Sequence, residues 1–169
     1  VMGAHYVLTA SIHENVVSNW NWIEALIASV PIAILVMLIV WINQFQDAPS
    51  DAAVGKNTWV VRTAEKGEWM KLEKPLRLYK QFMIEAFVAV ALVGALSFFT
   101  DFGTVYAFMA LIPLALVWKA FKMADEWMIK WNNPNADRQK VPYELLLVNV
   151  STIGIHFLTG ILLAVAYIL

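Results

Sequence analysis

The chain has 169 residues, of which 60% are hydrophobic and only 15% are charged, whereas about 25% are charged in an average soluble domain. This composition excludes a disordered chain and is a poor fit to a soluble globular domain. The net charge of −1 gives no basic field that would attract nucleic acid, and the absence of cysteine excludes disulfides, thiolate metal sites and cysteine nucleophiles. An integral membrane protein remains, because long apolar runs satisfy their backbone groups in lipid as helices.

In chain order, the first apolar stretch is a partial helix at residues 1–12, which is too short to cross a bilayer. It lacks the basic start and the small-residue cleavage pattern of a signal peptide. We therefore expect the chain to begin inside a helix and to be the C-terminal portion of a longer protein. Four longer stretches follow, at about residues 22–43, 82–100, 104–121 and 145–169. Their lengths predict an all-α, polytopic transmembrane helix bundle with four spans.

The basic residues predict how these spans are oriented. All 12 lysines and arginines lie in two stretches, seven between Lys56 and Lys80 and five between Lys119 and Lys140. The second and third spans are joined by residues 101–103, which predict a hairpin, so both basic stretches belong on one side of the membrane. The positive-inside rule assigns that side to the cytoplasm, so we expect a cytoplasmic or inner membrane protein with cytoplasmic basic loops.

Aromatic residues and prolines mark the segment boundaries. Residues 69–79 place apolar side chains at approximate helical spacing among charges, which predicts an interfacial amphipathic segment that Pro75 divides into two short pieces. Pro113 is expected to bend the third span. Six tryptophans near predicted span ends are expected at the lipid interface: Trp20, Trp22, Trp41, Trp59, Trp118 and Trp127.

The end of the first long span carries the residues with the clearest chemistry. Asn43, Asp47, Asp51 and Gly55 are spaced by four, so they share one face if the helix continues past the membrane surface. Two carboxylates and an amide oxygen form a hard-oxygen set, and magnesium binds through one or two carboxylates together with substrate phosphates. Lys56 follows directly, and its cation suits phosphate oxygens.

Two alternatives remain open at this motif. Pro49 can break the helix near residue 46, in which case the two carboxylates remain neighbours but Asn43 is rotated away. Two aspartates four residues apart in a polar loop are, in most proteins, only solvated. Their position at a span end, ahead of Gly-Lys and a basic stretch, makes a site for phosphate and metal as good an interpretation as simple solvation.

The run from Trp41 to Arg62, WINQFQDAPSDAAVGKNTWVVR, resembles the second aspartate-rich motif of UbiA-type intramembrane prenyltransferases. The shared pattern is NxxxDxxxD, then Gly-Lys and a short hydrophobic stretch that ends in arginine. Among the branches, it is most similar to 1,4-dihydroxy-2-naphthoate prenyltransferases. The chain's opening residues and the stretch from Asn149 to His156 before the final apolar run also fit this family, so the resemblance covers nearly the whole chain.

The resemblance implies a nine-helix fold in which two aspartate-rich loops hold Mg²⁺ against a polyprenyl diphosphate. The polyprenyl group then passes to an aromatic acceptor, as in quinone or menaquinone biosynthesis. By the resemblance, Asp47 and Asp51 are metal ligands, Asn43 is an auxiliary ligand or an orienting residue, and Lys56 and Arg62 contact the diphosphate. The family's first aspartate-rich motif is absent from this sequence, so we expect the chain by itself to be an inactive fragment.

Two other functions compete with this interpretation. CDP-alcohol phosphotransferases also place aspartates at a membrane surface, but their pattern needs an Asp-Gly and Ala-Arg pair that does not precede this motif. A small non-catalytic structural or transport subunit is the main alternative. It predicts that Asp47 and Asp51 are dispensable.

Overall fold

The computed structural model describes residues 22–64, 68 and 70–169. The predicted partial helix at 1–12 and the predicted interfacial position of Trp20 lie outside the described residues, as does the side chain of Trp22. Every regular element in the described part is helical. In chain order these are α1 (Trp22–Ala53), α2 (Trp59–Thr63), α3 (Glu73–Leu96), a first 3₁₀ helix (Val105–Leu111), α4 (Leu114–Trp131), a second 3₁₀ helix (Val141–Leu145) and α5 (Leu146–Ala166).

Four segments of the described chain are long and apolar enough to cross a membrane, which agrees with the prediction of four spans. They are Ile23–Ala53, Glu73–Leu96, Val105–Trp131 and Val141–Ala166. Large apolar side chains point outward from all four, including Val40, Leu92, Ile112 and Phe157, each at least half exposed. Such surfaces fit the hydrocarbon of a bilayer. Lipid tails are as apolar as these side chains, so contact with lipid costs them no free energy relative to the protein core.

The four segments pack as an up-and-down bundle in which each contacts the next along the chain. The first also packs against the fourth, which closes the ring. The core at the basic end is built from α1, α3, α4 and α5, with Phe45, Tyr79, Trp131 and Ile155 fully buried. Tyr79 and Thr152 form a buried hydrogen bond between α3 and α5, with 2.7 Å between their hydroxyl oxygens. A buried polar pair of this kind fixes the relative position of the two helices.

The first helix continues without a break past Pro49 to Ala53, so the alternative prediction of a helix break near residue 46 is wrong. Pro49 deprives only the carbonyl of Phe45 of its helical donor. The helix ends where Gly55 adopts a φ of +71°. There the amide of Gly55 donates to the carbonyl of Ala52 (3.1 Å) and that of Lys56 to the carbonyl of Asp51 (2.8 Å). These two bonds form a Schellman cap, for which a left-handed glycine is the favoured residue.

The third helix corrects the prediction of an amphipathic segment in two short pieces. Residues Glu73–Leu96 form one helix, and Pro75 lies in its first turn. The amides of a helix's first turn have no partner within the helix, so proline is tolerated there and does not divide the segment.

The hairpin between the second and third spans forms as predicted. Gly103 takes a φ of +85°, and a Cβ atom at this position would overlap the carbonyl oxygen of Val93. Beyond it, the first 3₁₀ helix ends at Leu111, and α4 begins at Leu114 with Pro113 at its N-cap. The helix changes from 3₁₀ to α-helical geometry at Pro113, and the bend expected there stays a prediction.

Three indole groups hold the basic end together. The Nε1–H of Trp41 donates to the carbonyl of Pro75 (3.2 Å), that of Trp127 to Val141 (2.8 Å) and that of Trp131 to Met70 (2.7 Å). These bonds cross between segments, so both basic loops lie at the same end of the bundle, as their charge and connectivity predicted.

Candidate functional site

The motif residues of α1 lie in its last three turns, at the basic end of the bundle. Asn43, Asp47 and Asp51 share one side of this unbroken helix, as their spacing predicts. Gly55 does not share that face, because it lies beyond the last helical residue and caps the helix. Three of the four equally spaced residues, Asn43, Asp47 and Asp51, therefore form a polar stripe along the helix, which we call the aspartate stripe. The fourth residue, Gly55, ends the helix.

Asp51 is the buried member of the stripe, with a residue exposure of 7%. Its Oδ1 pairs with Nζ of Lys56 at 3.0 Å, and the Lys56 side chain is 63% exposed. Its Oδ2 is buried and has no hydrogen-bond partner. A buried carboxylate oxygen without a partner carries a desolvation cost that a cation can offset.

Asn43 is held by a residue that sequence analysis did not assign to the site. Asn149, on α5, donates through Nδ2 to the Oδ1 of Asn43. Asn149 is 7% exposed, and its own Oδ1 is buried without a partner. A lone asparagine in an apolar span was the signal available in the sequence, since polar side chains there are costly unless they have a partner or a function.

Asp47 is exposed, one turn before Asp51. Within the described chain, there is no group of three or more acidic or histidine side chains that could hold a metal ion. The stripe therefore provides two carboxylates. Two are enough for a magnesium ion whose other ligands are waters and substrate phosphate oxygens, but not for a closed protein cage.

The loop after α1 folds back along it and carries the predicted diphosphate contacts. The amide of Val60 donates to Oε1 of Gln44 at 3.2 Å, and the rings of Trp41 and Trp59 lie 5.8 Å apart. Lys56 is thereby kept beside Asp51. Arg62 is exposed on α2 and makes no hydrogen bond or ion pair through its side chain with the described part of the chain, so the structure does not bring it to the carboxylates.

The oxygen donors of Asp51 and Asp47 are of the type that magnesium prefers. The unpartnered Oδ2 of Asp51 is a hard, charged oxygen, and the carboxylate of Asp47 lies one turn away on the same face. Asn43 is less available, because its oxygen already accepts the hydrogen bond of Asn149. The described residues therefore offer a hard cation the carboxylates of Asp47 and Asp51, one turn apart on α1, and the Lys56 ammonium pairs with the second of them.

No protein-family model, curated protein or solved structure matches this chain.

Proposed function

We propose that this chain is part of an intramembrane prenyltransferase of the UbiA type, with a nine-helix fold. In this proposal the enzyme transfers a polyprenyl group from its diphosphate to an aromatic acceptor, as in quinone or menaquinone biosynthesis. The observation that supports it best is the buried Asp51 carboxylate with one unpartnered oxygen, one turn from Asp47 at the end of an apolar helix. The basic loops beside it would face the cytoplasm, where a diphosphate substrate is available.

In this proposal, Asp47 and Asp51 hold magnesium against the diphosphate. The metal would neutralise the charge that develops on the leaving diphosphate. Asn43 acts as an orienting residue, because its bond to Asn149 ties the end of α1 to α5. Lys56 keeps the Asp51 carboxylate in place when substrate is absent, and its exposed ammonium can turn to the phosphate oxygens when substrate binds. Arg62 would contact the diphosphate only after its side chain moves towards the carboxylates.

The test uses a protein that carries both aspartate-rich motifs. We expect Asp51→Asn and Asp47→Asn each to lower magnesium-dependent release of pyrophosphate from a polyprenyl diphosphate by about 100-fold or more, because metal stabilisation of the leaving group contributes several kcal/mol. Asp101→Asn, which removes an exposed carboxylate at the opposite end of the bundle, is the matched control and should keep normal turnover. Normal turnover in both motif variants would refute the proposal.

A non-catalytic structural or transport subunit is the competing function, and one observation favours it. The Asp51–Lys56 ion pair and the Schellman cap together satisfy the end of α1 without any ligand. This alternative predicts that Asp51→Asn changes only the stability of the membrane-embedded protein. Turnover and unfolding measured on the same variant therefore distinguish the two functions.

A further inference from the structure

A polar cleft opens at the basic end, beside α1 and separate from the aspartate stripe. It has a volume of about 630 Å³ and lies between the last turns of α1 and the residues that lead into the second 3₁₀ helix. Its lining comprises Gln46, Pro49, Ser50, Arg138, Gln139, Lys140, Pro142 and Tyr143. Gln46 and Ser50 each precede an aspartate of the stripe by one residue, which turns them away from it by about 100° around the helix axis.

The described lining combines two cations with neutral polar groups and contains no carboxylate. The Nε2 of Gln46 is buried and has no hydrogen-bond partner. The Nζ of Lys140 is 3.7 Å from Asp137, and both side chains are at least half exposed, so this ion pair holds the lysine only weakly. The described lining itself therefore carries a weakly held ammonium and the Gln46 amide but no carboxylate, and the acidic group that pairs with this ammonium is Asp137.

Arg138 is the rigid member of the lining. Its guanidinium lies 4.4 Å from the centre of the Trp131 ring and donates one N–H to the Trp131 carbonyl. Within the described chain it has no carboxylate partner, although its side chain is partly buried. An arginine fixed by stacking keeps further N–H groups in a set direction, and such groups bind phosphate oxygens well.

The depth of the cleft in the bundle indicates where its ligand comes from. The four apolar segments end here, and the cleft is open at the surface between the first and fourth of them. In a bilayer this level is that of the lipid headgroups, and basic pockets between transmembrane helices at this level bind anionic headgroups.

We propose that this cleft binds a phosphate group, with an anionic phospholipid headgroup as its expected source. Arg138 and Lys140 supply the charge, and the Gln46 amide supplies a hydrogen-bond donor once its side chain turns into the cleft. The site does not depend on the proposed prenyl transfer, because it uses none of the residues assigned to that reaction.

The experiment compares two variants of the cleft with a matched control. Lys140→Gln removes a cation that has only a weak partner. Gln46→Leu removes a donor that has no partner in the protein, so it breaks no internal hydrogen bond. Lys74→Gln is the control, because Lys74 is an exposed lysine at the same end of the bundle but outside the cleft.

The proteins are placed in nanodiscs of phosphatidylcholine with and without phosphatidylglycerol, and bound lipid is counted by native mass spectrometry. We expect the preference for phosphatidylglycerol to fall about fivefold in each cleft variant and to be unchanged in Lys74→Gln. A second arm adds inorganic phosphate alone to lipid-free protein in detergent. A rise in the unfolding midpoint that both cleft variants abolish would support the same site with a soluble phosphate as the ligand. No response of the wild type in either arm, or an equal loss in Lys74→Gln, would overturn the proposal.

Discussion

Replacing Gly103 by alanine tests how closely the hairpin packs against the second span. Gly103 has a φ of +85°, and a Cβ atom there would overlap the carbonyl oxygen of Val93 and lie 3.6 Å from the Cβ of Leu96. The left-handed backbone costs a residue with a Cβ roughly 1–2 kcal/mol. Overpacking against a backbone that cannot move freely adds about 1–3 kcal/mol. We therefore expect Gly103→Ala to lower the free energy of unfolding by about 2–5 kcal/mol.

Two other glycines separate these contributions. Gly55 also has a positive φ, of +71°, but a Cβ there would meet nothing within 4 Å, so Gly55→Ala should cost only the backbone strain, roughly 1–2 kcal/mol. Gly154 lies within α5 and also has open space around it. Alanine there should raise stability by as much as about 1 kcal/mol, because it reduces the backbone freedom of the unfolded chain.

The assay is unfolding of the protein in mixed detergent micelles, followed by far-ultraviolet circular dichroism. The three alanine variants should rank in stability as Gly154→Ala above Gly55→Ala above Gly103→Ala. Equal losses in Gly103→Ala and Gly55→Ala would refute the reasoning, because the clash with Val93 would then contribute nothing.

Three further predictions concern single side chains. Thr152 donates to the carbonyl of Val148 (2.8 Å), so Tyr79 must be the donor in their shared bond, and Tyr79→Phe should cost about 1 kcal/mol in the same unfolding assay; no change would mean that the bond is not formed. Asp51→Asn should cost no more than about 1 kcal/mol, because its partner lysine is mostly exposed and returns to water, so a large loss of stability would contradict the exposed-pair geometry. Burial raises the pKa of Tyr167 from 10.0 to about 12. The folded protein therefore holds this proton more tightly than the unfolded chain, and stability should fall as the pH rises from about 10 to 12. Tyr167→Phe should show a smaller fall, and identical pH profiles would show that Tyr167 does not contribute.

The sequence was sufficient to predict the four spans and their shared basic end, but it placed several helix ends too early or too late. Hydropathy detects only the part of a helix that is apolar. The hydrogen-bonded helix continues until something stops it, and α1 runs to Ala53 before Gly55 ends it. At the start of α3 the difference is similar, because Glu73 and Lys74 begin a helix that the apolar pattern places later.

The aspartate stripe could be predicted because helical spacing is a local property. Asn43, Asp47 and Asp51 share a face as soon as the helix is unbroken, whatever the rest of the chain does. Their partners could not be predicted in the same way. Asn149 is more than a hundred residues from Asn43 in the chain, and only the packing of α5 against α1 brings the two amides together.

The tryptophans also show that the sequence does not predict tertiary contacts. Their positions near the ends of spans were readable from the sequence, and their interfacial role in a bilayer stays a prediction. Trp118 is 76% exposed, as an interfacial ring would be, whereas Trp127 is 3% exposed and packs against Phe45 and Trp131. The choice between lipid and core depends on which side of α4 a residue occupies, and that follows from the tertiary packing.

The indole bonds at the basic end fix the length of the chain between two of their acceptors. Surface loops usually tolerate insertions, but Met70 and Pro75 accept hydrogen bonds from Trp131 and Trp41 respectively. A residue inserted between these two acceptors would shift one carbonyl relative to the other and disconnect one of the two indoles. The hairpin at the opposite end is constrained by Gly103 and by the hydrogen bonds of Thr100 to the Leu96 and Phe102 carbonyls. A change in the length of the segment between Met70 and Pro75 should therefore cost at least one of these two indole hydrogen bonds.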